Sequence, residues 1–340
     1  ILLIIFFAVM AAVGIYSRRH VTSVDGFVLG GRSVGPWLTA FAYGTSYFSA
    51  VVFVGYAGQF GWKYGIASTW IGIGNALIGS LLAWVVLGRR TKVMTQHLGS
   101  RTMPDFFGER YKSKSLKITA SVIVFVFLIP YTASVYNGLS RLFAMAFNIP
   151  YTWCVVTMAA FTALYVILGG YMATAINDFI QGIIMLIGIV AVIAAVLNGQ
   201  GGFMNAIAEM AKIPSDVPLT QGQPGAFTSF FGPDPLNLLG VVLLTSLGTW
   251  GLPQMIGKFY AIKDEKSIST GTIISTIFAI IISGGCYFLG GFGRLFDSPE
   301  IYDKAGGAVV YDSIIPHMLS MLPDLLIGVV VVLVLSASMS

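Results

Sequence analysis

Two stretches of the chain set glycine and hydroxyl residues in the middle of otherwise apolar runs. The first is Ala42-Tyr43-Gly44-Thr45-Ser46-Tyr47-Phe48-Ser49-Ala50, and the second is Thr245-Ser246-Leu247-Gly248-Thr249-Trp250-Gly251-Leu252-Pro253-Gln254. Neither contains a nucleophile beside a base. Hydroxyls and carbonyls at an interrupted helix can instead replace the water shell of a hard monovalent cation, or hydrogen-bond a small polar solute. Pro253 has no N–H and would free a carbonyl four residues back. A third hydroxyl group, Ser336, Ser338 and Ser340, follows an almost unbroken Val/Leu run. One acid, Asp178, stands in Ala175-Ile176-Asn177-Asp178-Phe179-Ile180-Gln181. A carboxylate in an apolar segment is costly and points to function, although a helix start also welcomes an acid. Plain alternatives exist: Gly, Ser and Thr permit close helix packing, and a helical Ser can bond a carbonyl one turn back. Two islands at matching positions favour the functional reading.

The elements that hold these residues must lie in a bilayer. Of 340 residues, 56% are hydrophobic and 10% charged, with a mean hydropathy of +0.84. Soluble proteins carry about 25% charged residues. A chain this apolar cannot be wrapped in a water-facing shell, so its outer surface meets lipid. The net charge of +5 does not indicate nucleic acid, because the positive residues fall in short loops and form no continuous patch. Cys154 and Cys286 lie inside apolar runs and read as small buried hydrophobes. His20, His97 and His317 have no ligand spacing. With no nucleophile–base pair, metal cluster or phosphate loop, neither an enzyme nor a resident cofactor is expected, and there are no catalytic residues to name.

A spanning helix needs about 20 mostly apolar residues. Nine segments are expected on that basis: 1–16, 36–60, 66–88, 116–147, 151–169, 172–198, 236–260, 268–293 and 323–340. The first and last are short. The chain begins with Ile1 and stops at Ser340 in mid-helix, which reads as a fragment cut at both ends. Arg18 and Arg19 follow the first apolar run rather than precede it, unlike a signal peptide. Loops 17–35, 89–117 and 258–266 hold fourteen of the nineteen Lys and Arg. The alternate loops hold only Lys63, Lys212, Arg294 and Lys304, so the basic loops are assigned to the cytoplasm. Arg141 lies near the outer end of the fourth segment, within reach of the interface. Residues 199–235 read as a long polar outer loop, and 311–319 as a short interfacial helix.

At these residues the chain resembles the sodium:solute symporter family, in its pantothenate-type and proline-type branches. The resemblance runs over essentially the whole chain. Besides the two islands it is carried by Leu29-Gly30-Gly31-Arg32-Ser33, Tyr56-Ala57-Gly58, and Thr102-Met103-Pro104-Asp105-Phe106-Phe107 with Arg110-Tyr111. Leu164-Tyr165-Val166-Ile167-Leu168-Gly169-Gly170, Asn177-Asp178-Phe179-Ile180-Gln181-Gly182, Gly251-Leu252-Pro253 and the final Ser-rich stretch complete it. The resemblance implies an all-α polytopic fold with a LeuT-type core of two inverted five-helix repeats and one extra N-terminal helix. Here 1–340 would be one transmembrane domain: 1–16 the extra helix, 36–198 the first repeat and 236–340 an incomplete second.

It further implies a multi-pass carrier of the cell membrane that couples sodium entry to import of a small organic solute, with the lipid bilayer, the ion and the solute as its partners. The carbonyls of Thr45 and Phe48 would then face the Ala337 carbonyl and the Ser340 hydroxyl around sodium, the only metal implied. Asp178 would lie on the ion's path. The solute would meet Ser46, Tyr47, Ser49, Tyr131, Thr245, Thr249 and Trp250. Proline-type carriers have an acid where this chain has Tyr47, and an aromatic pair where it has Thr245 and Thr249, whereas Tyr131 matches a substrate-side tyrosine of that branch. Proline itself is therefore not the expected solute; sugars, amino acids, vitamins and monocarboxylates stay open, and half-helix N-termini favour an anionic group, which fits a carboxylate such as pantothenate. Proton coupling, or a non-transporting sensor with the same fold, stays open as the alternative. The charge distribution generates a test of topology. In intact cells, a cysteine placed in loop 89–117 should resist impermeant thiol reagents and one in 215–230 should react; the reverse pattern would invert the orientation.

Overall fold

The computed structural model describes residues 2–18, 23–49, 51–147, 150–303 and 307–339. Among them there is no β-strand; two isolated bridges, Val34 with Ile262 and Tyr302 with Val309, are the extended pairings present. The apolar runs become helices because in hydrocarbon each backbone N–H and C=O must find its partner within its own segment. The helical stretches Val51–His97, Lys114–Tyr136, Val166–Gly199 and Glu265–Gly290 are long and apolar enough to cross a membrane. Pro235–Gly251 with Pro253–Ala261 makes a further span bent by 52°. Ile4–Ser17 and Leu326–Ser338 are shorter apolar helices.

In chain order the helices are α1 (Leu2–Ser17), α2 (Val24–Leu29), α3 (Pro36–Tyr47), α4 (Ala57–Tyr64), α5 (Thr69–Gly74), α6 (Arg89–His97), α7 (Met103–Tyr111), α8 (Lys114–Phe147), α9 (Tyr151–Gly199), α10 (Phe203–Lys212), α11 (Pro235–Leu247), α12 (Pro253–Ala261), α13 (Glu265–Gly290), α14 (Tyr311–Ser320) and α15 (Asp324–Met339). Wide π turns at Val51–Tyr56 lead into α4, and two more, Asn75–Leu82 and Trp84–Gly88, join α5 to α6. The two segments expected at 151–169 and 172–198 are one helical stretch, α9, interrupted at Gly170 (φ 55°, ψ −151°). That conformation suits only glycine, and a Cβ there would press on the Phe27 carbonyl. The loop expected at 199–235 contains α10, which an apolar-span criterion overlooks. This helix is amphipathic: it buries Ala206 and Met210 against Phe227 and Phe292.

The interior is organised by α9 and α13. The first packs on α1, α3, α13 and α15, and the second on α3, α4 and α5. Glycine makes this possible where backbones touch. A Cβ on Gly72 would lie 2.6 Å from the Ser283 carbonyl oxygen, and one on Gly290 would collide with the Ala57 carbonyl. No rotamer change relieves a clash with backbone, and overpacking costs about 1–3 kcal/mol or more. In the full-length protein Gly290→Ala should therefore lower the melting temperature in detergent. Gly240→Ala, where a Cβ meets nothing within 4 Å, should leave it unchanged. Equal effects would show that the glycine contact between α4 and α13 does not hold the bundle.

Candidate functional site

Both polar islands are breaks in helices. The first helix, α3, stops at Tyr47. Phe48 leaves helical geometry (φ −105°, ψ 72°), with its N–H bonded to the Gly44 carbonyl at 3.1 Å. The chain turns helical again as the N–H groups of Val52 and Phe53 donate to the Ser49 carbonyl at 3.0 and 3.2 Å. In the second, α11 runs into a tight turn at Gly248–Gly251 and Leu252 is extended (φ −72°, ψ 126°). Pro253 then occupies the first turn of α12, where its missing N–H costs nothing. The proline therefore begins a helix instead of kinking one, and the interruption falls one residue before it.

The two breaks meet. The Tyr47 hydroxyl donates to the Thr245 carbonyl at 2.9 Å. Ser46, Tyr47, Ser49, Tyr131, Thr245 and Thr249 line one cavity of about 330 Å³. Trp250 does not line it; its indole N–H donates to the Ile78 carbonyl at 3.1 Å. The wider turn of a π segment redirects carbonyls, and such segments often mark functional sites. Two successive carbonyls of Asn75–Leu82 are used in this way: Ile78 accepts from Trp250, and Gly79 accepts from the Tyr43 hydroxyl at 3.0 Å. Asn75, absent from the expected set, also lines the cavity and is 2% exposed. Its side-chain oxygen accepts from the hydroxyls of Thr245 (2.9 Å) and Ser246 (3.0 Å). A single polar residue in Ile73-Gly74-Asn75-Ala76-Leu77 was the available signal. The Thr249 hydroxyl donates to the Ser246 carbonyl at 2.9 Å. With their protons engaged in the wall, Thr245 and Thr249 present lone pairs to the cavity.

A second, much smaller void lies beside the first break. It measures about 10 Å³, and Phe48, Ser49 and Ala337 line it together with the apolar Met185, Ile189 and Leu333. A void of roughly 10–15 Å³ accommodates one water-sized sphere. The structure thus brings Phe48 and Ala337 together. Thr45 is fully buried, with its hydroxyl donating to the Phe41 carbonyl at 2.9 Å. Ser336 and Ser338 bond back to the carbonyls of Val332 (2.8 Å) and Val334 (2.7 Å). Ser340 lies outside the described residues.

Asp178 is 2% exposed and stands two turns past the Gly170 interruption. Its carboxylate faces Lys258 of α12, at 3.4 Å. Beyond Lys258, the end of α12 is tied to two other elements. Arg32 reaches the Tyr260 carbonyl at 3.5 Å and the Ser100 carbonyl at 2.6 Å. Val34 N–H donates to the Ala261 carbonyl at 3.3 Å, and Lys263 N–H to the Val34 carbonyl at 2.9 Å. Lys92 donates to the Ile262 carbonyl. Carbonyls at a helix end have no partner within the helix; here the segment preceding α3 and the side chains of α6 supply the donors.

Three sodium/proline symporters of Staphylococcus aureus, from strains JH9, JH1 and Mu3, are each 33% identical to the chain over 276 residues. The match covers 79% of this chain and 51% of each relative, so the chain spans about half their length. Among solved structures, a Na+-coupled sialic acid symporter in a substrate-bound, outward-open state superposes with a TM-score of 0.79 at 15% identity, covering 99% of this chain and 68% of that one. At that identity the likeness is one of fold. The model of the sodium:solute symporter family matches residues 27–340. With the interrupted helices in place and its family a family of transporters, not enzymes, this multi-pass membrane chain belongs to the sodium:solute symporter family.

Proposed function

We propose that the full-length protein is a sodium-coupled secondary symporter of the cell membrane that imports a small organic solute by alternating access. The observation that carries this reading is the meeting of two interrupted helices at one cavity, Tyr47 to Thr245. Interrupted helices at corresponding positions are the usual location of solute and ion sites in carriers. The reading takes residues 36–198 as the first five-helix repeat of a LeuT-type core, 236–340 as part of the second, and 1–16 as the extra helix. The ion site takes carbonyls of Thr45, Phe48 and Ala337 and the hydroxyl of Ser340, with Asp178 on the ion's route. The solute takes the cavity, with Ser46, Tyr47, Ser49, Tyr131, Thr245 and Thr249 around it and Trp250 behind the wall.

The cavity chemistry supports a carboxylate. Leu252 and Met255, at the start of α12, line the cavity, so the positive end of a helix faces it. No Lys or Arg is among the lining residues. An anionic group at that helix end, with hydroxyl or amide donors directed at Thr245 and Thr249, matches what the walls offer. The test is uptake of labelled pantothenate by the full-length protein in proteoliposomes. Uptake should require an inward sodium gradient and be competed by other small carboxylates more strongly than by proline or sugars. Equal uptake with choline replacing sodium would contradict the coupling, and competition led by sugars would contradict the carboxylate.

A further inference from the structure

Lys258 has no place in the solute cavity or in the small void, yet it is the cation facing the buried acid. Its side chain is 10% exposed and that of Asp178 is 2% exposed. The Nζ–Oδ2 separation of 3.4 Å is longer than the roughly 2.7–2.9 Å of a tight charge-assisted hydrogen bond. The same ammonium lies 5.4 Å from the centre of the Tyr171 ring. The Tyr171 hydroxyl is buried with no hydrogen-bond partner in the structure, and so are both amide atoms of Asn177, the neighbour of Asp178. A buried carboxylate is held by a cation, by hydrogen-bond donors or by a proton, and at Asp178 a cation is close by. The described residues supply one at a separation longer than a tight bond, beside the ring of Tyr171.

Position makes the pair more than a pin. Lys258 stands between the break at Leu252 and the bonds at Tyr260, Ala261 and Ile262 that hold the end of α12. Whatever draws the ammonium away from Asp178 acts directly on the half-helix that follows the second break. We propose that Lys258 is the resident counter-cation of Asp178, that sodium and the Lys258 ammonium compete for this carboxylate, and that their exchange releases α12. This deepens the sodium-coupled reading and rests on it. Sodium then neutralises the carboxylate, and the tethered Lys258 ammonium, left without its counter-charge, must move toward polar surroundings and carry α12 with it. Ligand and helix position then become linked, and the linkage is reciprocal.

The competing explanation is a structural ion pair joining α9 to α12, and the sign of the effect separates the two. The measurement is the sodium concentration giving half-maximal solute uptake by the full-length protein, with the amount of folded protein recorded. Lys258→Gln removes the competitor and should lower the half-saturating sodium concentration about fivefold. Asp178→Asn removes the shared ligand and should raise it about tenfold, the change expected when roughly 1.4 kcal/mol is lost. Lys258→Arg keeps the charge and binds a carboxylate in two-point fashion, so it should raise the value about threefold. The double variant Asp178→Asn/Lys258→Gln should match Asp178→Asn. A structural pair predicts instead that both single charge removals shift sodium dependence the same way and that the double variant recovers toward wild type. Either of those outcomes overturns the inference. If the Gln variant does not fold, the Arg variant decides alone: an unchanged or lowered value overturns it. Loss of all sodium dependence in the wild-type protein would overturn the symport reading together with this one, whereas sodium dependence in the wild type with the wrong signs in the variants overturns only the competition.

Discussion

In a bilayer a helix can be broken only where something other than lipid satisfies its backbone. The rest of the molecule follows from meeting that condition twice. At the first break Gly44 and Ser49 carbonyls take N–H donors from Phe48, Val52 and Phe53. At the second the Leu252 carbonyl accepts from Met255 and Ile256, and a proline fills the position that needs no donor. The remaining demand is met across the interface, where the Tyr47 hydroxyl reaches the Thr245 carbonyl and Trp250 and Tyr43 reach the π segment after α5. Polar groups thus gather where the chain is irregular, and the cavity they line has hydroxyl-bearing walls in an otherwise apolar body. The close glycine contacts of α13 with α4 and α5 pack the same region of the bundle.

The same logic extends to the Lys- and Arg-rich side. The end of α12 presents carbonyls in need of donors, and the donors come from the segment before α3 and from α6. Arg32 supplies one of them from a left-handed backbone (φ 55°), a conformation that a non-glycine residue adopts at a cost of order 1–3 kcal/mol. That strain is offset by carbonyls on two further elements. Both interrupted helices are thereby joined at one end while the cavity lies at their breaks, and α12 carries Lys258 between the two regions.

Much of this was legible in the residue order. The islands stood out because Gly, Ser and Thr interrupt apolar runs, and the helical segments because apolar length dominates in lipid. Asp178 stood out as a charge where charge is expensive. What was hidden depends on contacts between distant segments. Lys258 is 80 positions from Asp178 and reads as an ordinary loop lysine. Asn75 reads as one more small polar residue in a packing helix until Thr245 and Ser246 arrive beside it. Trp250 looks like a cavity aromatic, but the π geometry of Asn75–Leu82 offers its N–H a carbonyl and turns it into the wall. Pro253 signals a disturbance without saying whether it kinks a helix or starts one. An amphipathic helix such as α10 is invisible to a search for continuous apolar length.

The central claim is that the cavity between the two breaks receives the solute when sodium is bound. Cysteine protection at Thr249 tests it most directly, because Thr249 lines the cavity; the native cysteines of the full-length protein, Cys154 and Cys286 among them, are first replaced by serine to give a silent background. In the full-length Thr249→Cys protein, the alkylation rate should fall severalfold when sodium and the transported solute are present together, and much less with solute in choline. A rate indifferent to solute at saturating sodium would contradict the account, because a solute bound at the breaks must cover that side chain.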